Sequence, residues 1–267
     1  MLLAIDIGNT NTTLGVFDGE KLKVTFRLAT HVSQMPDEYA VYILSLLKHS
    51  GIDSAAITEG AISCVVPPLA TTFNELFKKY FNTEPLIIRP GIKTGVRIRY
   101  DNPRELGGDR MSNAAGALHL YKAPIIVVSM GTATAFDTIS KEGDYLGGAV
   151  APGLAISAEA LYTRTAALPR VELVRPKKAI GANTVAAMQS GIIFGYAGLI
   201  DGIVARIQEE LGEKAMVVAT GGYASVIAKE TKLIEKVNPN LGLIGIKVIH
   251  DLNRGDSLKL KAQKSKP

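Results

Sequence analysis

The chain has 267 residues, 47% of them hydrophobic and 21% charged, which is enough to bury a substantial core and suits two lobes better than one large domain. Its formal net charge of +5 includes Lys259, Lys261, Lys264 and Lys266; without those four the body stands near +1, so no clustered basic footprint and no nucleic-acid partner are expected. Cys64 is the single cysteine, which excludes an intrachain disulfide, and its apolar setting (AISCVVPP) suits a buried, inert thiol.

Met1 leads straight into Leu2 to Ile5 and then Asp6 with no basic segment first, so a cytoplasmic protein without a signal peptide is expected. Leu2 to Ile5, Thr13 to Phe17 and Val24 to Leu28 are short apolar runs separated by polar turns, which predicts three consecutive antiparallel strands. Asp37 to His49 carries apolar residues at helical spacing behind Pro36 and predicts a helix with one buried face. Ala61 to Val66 reads as a strand stopped by Pro67-Pro68, Leu69 to Tyr80 as a helix, and Pro85 to Ile88 as a short strand.

Asp109 to Tyr121 reads as a helix, after which the opening pattern returns. Pro124 to Val128, Ala135 to Ile139 and Tyr145 to Val150 read as strands around the turns Gly131 to Thr134 and Lys141 to Gly143. Placing DIGNTNTTLGVFDGE over SMGTATAFDTISKEG aligns Gly8 with Gly131 and Asn11 with Thr134, an internal repeat. Helices are expected over Pro152 to Ala167 and Thr184 to Leu211, then a strand over Met216 to Ala219, the turn Gly221-Gly222 and a helix from Tyr223. The apolar stretch Ala186 to Ile200 contains Gln189 and stops at Asp201, short of the roughly 18 apolar residues a membrane span requires, so no membrane partner is expected. Its glycines (Gly191, Gly195, Gly198, Gly202) suit close approach by another helix or a subunit.

The architecture expected is α/β, with two related lobes over 1–118 and 119–255 and a basic, flexible tail over 256–267. Asp6-Ile7-Gly8-Asn9-Thr10-Asn11-Thr12-Thr13 places a carboxylate at a strand end before a turn of glycine, hydroxyl and amide residues. Such a turn can cradle phosphate with backbone N–H groups while the carboxylate holds Mg²⁺ through water. It is neither a Walker loop nor a dinucleotide fingerprint. The second copy offers Thr132, and Gly221-Gly222 permits a flat base to approach backbone. Tyr100 to Arg110 sets Asp109 beside Arg110 just after Gly107 and Gly108 at a helix start; a helix acid favoured by the dipole accounts equally well for Asp109.

DIGNTNTTLGVFDG, IRYDNPRELGGDR, GTATAFD, YLGGAVAPGL, NTVAAMQSGI and VVATGGYA, in this order, resemble the type III pantothenate kinases from residue 1 to about 254. The resemblance implies two duplicated ribonuclease-H-like (actin-like ATPase) lobes of mixed sheet and helix, ATP and Mg²⁺ as cofactors, and transfer of phosphate to the 4′-hydroxyl of pantothenate, the first step of coenzyme A biosynthesis. It implies a homodimer, with ATP contacts at Asp6 to Thr13 and Thr132, Asp109 as general base, and pantothenate contacts at Tyr100, Gly107, Gly108, Asp109, Arg110 and Thr184. The family carries an aspartate at a monovalent-cation (K⁺ or NH₄⁺) position two residues before the second Gly-Thr, where this chain has Ser129. That departure keeps open an alternative, a non-catalytic nucleotide-binding regulatory paralogue of the same fold.

Overall fold

The computed structural model describes residues 1–264, and side chains through Arg254. Its strands in chain order are β1 (Leu2–Ile7), β2 (Asn11–Asp18), β3 (Lys21–Ala29), β4 (Glu59–Cys64), β5 (Leu86–Ile88), β6 (Arg97–Ile98), β7 (Ile125–Met130), β8 (Ala133–Ile139), β9 (Asp144–Pro152), β10 (Met216–Gly221) and β11 (Lys236–Val237). Its α-helices are α1 (Pro36–His49), α2 (Pro67–Phe81), α3 (Gly108–Leu120), α4 (Leu154–Thr163), α5 (Thr184–Leu211), α6 (Ala224–Ile227) and α7 (Leu241–Lys264).

The chain divides into two units: one of residues 1–96, 101–119 and 241 onward, the other of 97–100 and 120–240. In the first, the sheet order is β3-β2-β1-β4-β5, with β1–β2–β3 antiparallel and β4 and β5 parallel to β1. Strand β1 is a nearly unbroken buried run, as expected of a central strand covered on both faces. At the edge, β3 alternates exposed Lys21, Lys23, Thr25 and Arg27 with more buried partners. Helix α1 starts on Pro36 with Asp37 and Glu38 in its first turn and Lys48 and His49 in its last, each sign matching its end of the helix dipole. Helix α2 starts on Pro67 and ends at Asn82 in the left-handed region, and both helices bury one face, including Tyr39, Ile43, Phe73 and Phe77, in this unit's core.

The second unit repeats the order as β9-β8-β7-β10-β11, with β6 added beyond β9. Strands β7–β8–β9 are antiparallel and β10 runs parallel to β7, as β4 does to β1. Its core gathers Ile126, Val128 and Phe136 from the sheet with Ile193, Tyr196, Ile200 and Val204 of α5. Helix α5 has the ends read from sequence: the Asn183 side chain accepts the Ala186 N–H at 2.8 Å, and Gly212 takes the left-handed conformation. By length and composition α5 could cross a bilayer, but its buried face is part of this core.

Two expectations need correction. The helix expected over Pro152 to Ala167 covers only Leu154–Thr163, because β9 runs through Pro152 and the chain leaves the helix at Arg164, where the Thr165 hydroxyl donates to the Leu161 carbonyl at 2.7 Å. The lobe boundary also shifts, since α7 belongs to the first unit. It buries Leu241, Leu243, Ile246 and Ile249, and lies so close to α3 that a Cβ at Gly245 would stand 1.7 Å from the Ser112 carbonyl oxygen and one at Gly116 2.4 Å from that of Leu241. Helix α7 extends through Lys264, into the segment expected as a flexible tail; the remainder of that expectation lies outside the described residues.

Candidate active site

In the first unit, β1 delivers Asp6 to the mouth of the β1–β2 turn, where the Gly8 N–H donates to the Asn11 carbonyl at 3.0 Å. Asn9, Thr10 and Asn11 are exposed on that turn. Thr12 is buried and its hydroxyl meets that of Thr30 at 2.9 Å; Thr13 faces Asp6 across the ladder. On the other side Asp6 pairs with Ser63 of β4. The Asp6 Oδ1 and Ser63 Oγ atoms are both buried without a hydrogen bond of ordinary geometry, although the Ser63 hydroxyl lies near enough to favour the charged carboxylate. A pair of poorly satisfied polar atoms inside a protein is costly, and such atoms are common where a ligand completes the structure.

Helix α3 brings Asp109 to the same place. A Cβ on Gly108 would lie 3.1 Å from the Ile88 carbonyl oxygen and 3.3 Å from Ser63 Oγ, so the helix starts hard against the ends of β4 and β5. A Cβ on Gly107 would lie 2.5 Å from Asp109 Oδ1, so the first glycine clears space for the carboxylate and the second for the helix. Burial raises the Asp109 pKa, against the Arg110 and Asp109 backbone N–H groups and the Arg110 charge, which lower it. Asp6 is pushed up to about 6, first by burial and then by the neighbouring Asp109 charge, with Ser63 opposing. A Cβ on Gly242 would lie 3.4 Å from Asp6 Oδ2, which sets the carboxylate by the first turn of α7, whose dipole favours its charged form.

In the second unit, Ser129 occupies the position on β7 that Asp6 has on β1. It pairs with Ala135 on β8 and Thr220 on β10. The turn after it is closed by the Gly131 N–H on the Ala133 carbonyl at 3.0 Å, and Gly153 donates to the Thr132 carbonyl at 3.1 Å. The structural equivalent of Asn11 is therefore Ala133, not Thr134, because the second turn is one residue shorter. Thr134 instead matches Thr12: buried, with its hydroxyl bonded to the Tyr196 hydroxyl. Gly221 has φ +95°, and a Cβ there would lie 2.3 Å from the Met130 carbonyl oxygen, so this glycine is required by the packing of β10 on β7; Gly222 is exposed.

Tyr100 is half-buried and lies over Gly147 and Tyr145 of β9. Thr184, at the start of α5, lines a cavity of about 850 Å³ with Leu161, Met188, Ile192 and Tyr196. Within the first unit the structure thus groups Asp6, Gly107, Gly108 and Asp109, while Tyr100 and Thr184 belong to the second unit. Sequence reading missed Ser63, Gly242, Tyr145 and Gly147. Ser63 carried one usable signal, a hydroxyl near the end of an apolar strand just before Pro67-Pro68, but its parallel pairing with Asp6 is not written in local pattern.

The family model for type III pantothenate kinase matches residues 2–206. The type III pantothenate kinase of Dehalococcoides mccartyi strain CBDB1 is 52% identical over 253 residues, 95% of this chain and 96% of that protein. That of Syntrophus aciditrophicus strain SB is also 52% identical over 253 residues, covering 95% of this chain and all 100% of the relative. Among solved structures, the inorganic polyphosphate/ATP-glucomannokinase of Arthrobacter sp. strain KM superposes with a TM-score of 0.51 at 16% identity, covering 94% of this chain and 98% of that one. This last likeness speaks for the fold alone, the actin-like arrangement of duplicated ribonuclease-H-like units. The chain belongs to the type III pantothenate kinase family.

Proposed function

We propose that this protein transfers the γ-phosphoryl group of ATP to the 4′-hydroxyl of pantothenate, forming 4′-phosphopantothenate and ADP, the first step of coenzyme A biosynthesis. The observation that carries the reading is the Asp6–Asp109 pair: two carboxylates brought together by β1 and the Gly107-Gly108 start of α3, both with raised pKa. Perturbed acids grouped in this way mark sites of charge and proton handling.

Asp109 accepts the proton of the 4′-hydroxyl as that oxygen forms its bond to the γ-phosphorus and the bond to the β-bridging oxygen breaks. A carboxylate with a raised pKa is the better base near neutral pH. The turn Ile7 to Thr13, with Thr132, Gly221 and Gly222, contacts the nucleotide, while Tyr100, Gly107, Gly108, Arg110 and Thr184 contact pantothenate. Phosphoryl transfer depends mainly on positioning and charge neutralisation, which rigid turns supply.

Mg²⁺ fits Asp6, whose Oδ1 is buried without a hydrogen bond of ordinary geometry, and the ion neutralises phosphate charge when bound. No cluster of three candidate ligands occurs among the described residues, which suits a metal held largely by nucleotide oxygens and water. A K⁺ or NH₄⁺ site does not fit equally well: Ser129 and its ladder neighbours Ala135 and Thr220 supply no carboxylate. No step is assigned to a monovalent cation.

A homodimer through the outer face of α5 accompanies this reading, since Gly191, Gly195 and Gly198 are exposed and a side chain at any of them would meet nothing within 4 Å. The cytoplasm, where ATP is supplied, is the assigned compartment; Cys64, its thiol donating to the Val66 carbonyl and its pKa raised by burial, is suited to remain reduced there.

The test is pantothenate-dependent ADP release by the wild type and by Asp109→Asn. The variant is expected to lose roughly 10²–10⁴-fold in turnover while still binding nucleotide. Unchanged turnover removes Asp109 from the base role, and nucleotide binding without any pantothenate-dependent ADP from the wild type replaces the kinase with a non-catalytic binder.

A further inference from the structure

Residues 97–100 are tied to β9 by several independent contacts. Arg97 and Ile98 pair with Asp144 and Tyr145 as a short parallel bridge, and the Arg99 N–H donates to the Tyr145 carbonyl at 2.8 Å. Arg97 gives the Asp144 carboxylate two hydrogen bonds, Nε at 2.6 Å and Nη2 at 2.5 Å, and Arg99 Nε adds a third at 3.0 Å. A forked guanidinium on a carboxylate fixes orientation as well as distance. The Asp144 side chain is only 10% exposed, whereas Arg97 and Arg99 are 62% and 56% exposed, so the guanidinium groups stay in solvent and the clamp contributes orientation more than net ion-pair energy.

Tyr100 follows directly. Its ring stands edge-on to that of Tyr145, with centroids 6.1 Å apart and planes at 63°, a favoured aromatic geometry. Beneath it, Gly147 has φ +118°, and a Cβ there would come within 3.3 Å of the Tyr100 ring. Tyr145 is fully buried, and its hydroxyl donates to Asp137 Oδ1 at 2.7 Å. The base of the seat is thereby pinned to the neighbouring strand.

We infer that Tyr145 and Gly147, with the Asp144 clamp upstream, form a preorganised seat that holds the Tyr100 ring for the hydroxyl substrate, which makes Tyr145 a positioning residue. The inference rests on the reading that Tyr100 contacts pantothenate. A ring fixed before binding loses little freedom when substrate arrives, so the seat contributes to substrate affinity. The chemistry at Asp109 does not depend on it.

The experiment is steady-state kinetics with each substrate varied, on Tyr145→Leu, Tyr145→Phe, Tyr100→Ala and the double variant Tyr100→Ala/Tyr145→Leu. Tyr145→Leu removes the ring edge and is expected to raise KM for pantothenate about tenfold with kcat and the ATP KM within about twofold. Tyr145→Phe keeps the ring edge and is expected to recover most of that loss. The double variant should be no worse than Tyr100→Ala alone, as for two residues acting through one contact.

A pantothenate KM unmoved in Tyr145→Leu but raised in Tyr100→Ala overturns the seat, as does a double variant in which the two losses multiply. Should Tyr145→Leu fail to fold, Asp144→Asn, which loosens the clamp while keeping an acceptor, decides by the same KM split. An unchanged pantothenate KM in Tyr100→Ala overturns the seat together with the placement of Tyr100 but leaves the kinase standing. A wild type with no pantothenate-dependent turnover overturns both.

Discussion

In the first unit β1 enters its turn through Asp6-Ile7-Gly8; in the second, β7 enters through Ser129-Met130-Gly131. Both glycines close their turns with a 3.0 Å hydrogen bond to a carbonyl oxygen, and both turns are followed by a buried threonine whose hydroxyl is bonded to another hydroxyl. The parallel neighbour is a hydroxyl residue in each case, Ser63 beside Asp6 and Thr220 beside Ser129. The hairpin therefore forms with or without the carboxylate. What Asp6 adds is a buried negative charge, and its pKa of about 6 against an ordinary 3.8 corresponds to a cost of about 3 kcal/mol at neutral pH. A group with such a cost, in a hairpin that closes without it, is consistent with the Mg²⁺–nucleotide role proposed for Asp6.

The comparison breaks most visibly if the first turn is converted into the second. Asp6→Ser is expected to keep the fold and to lose roughly 10³-fold in turnover with Mg-ATP, equivalent to about 4 kcal/mol of transition-state stabilisation. Steady-state kinetics beside a circular-dichroism melt checks both halves; turnover within a few-fold of wild type removes Asp6 from the metal-nucleotide machinery.

Next in size is the stability cost itself. Because the folded-state pKa of Asp6 is raised, the native protein keeps a proton that the unfolded chain releases between pH 3.8 and about 6. Stability attributable to this group falls as pH climbs through that window and stays reduced above it. Asp6→Asn, which cannot ionise, is expected to be more stable than wild type at pH 7.5 by up to about 3 kcal/mol, with the difference gone below about pH 4. Denaturant unfolding at the two pH values reads this directly; equal stability at pH 7.5 shows that the carboxylate is better solvated or better paired than its surroundings indicate.

The same contrast shows what the sequence could disclose. Both hairpins and α5 follow from local signals: apolar runs of strand length, turns rich in glycine, threonine and asparagine, and the long apolar stretch from Ala186 to Ile200. Asp109 was legible as a carboxylate at a helix start behind two glycines. Residues joined by non-local packing were not. Ser63 meets Asp6 only through parallel pairing across more than fifty residues. Helix α7 was hidden because Gly242 and Gly245, poor helix formers, interrupt the run that carries its apolar face of Leu241, Leu243, Ile246 and Ile249. The equivalence of Asn11 with Ala133 depended on a one-residue difference in turn length, which ladder register reveals and an ungapped alignment does not.

The smallest expected effect sharpens the comparison from the other side. Ser129→Asp gives the second turn the carboxylate of the first, at a half-buried position flanked by Ala135 and Thr220. Neither neighbour carries a charge, so the new aspartate would seek a cation from solution. A unit charge pair 4 Å apart gains about 4 kcal/mol at an effective dielectric of 20, and desolvation of the ion and of the carboxylate offsets much of that. An increase of about tenfold in apparent K⁺ or NH₄⁺ affinity, near 1.4 kcal/mol, is the expected remainder. Titrating each cation into the wild type and the variant while following ADP release and thermal midpoint measures it. A variant whose midpoint and turnover respond to K⁺ no more than the wild type does would show that a carboxylate alone does not create a cation site there, and that the two turns differ in more than the residue that opens them.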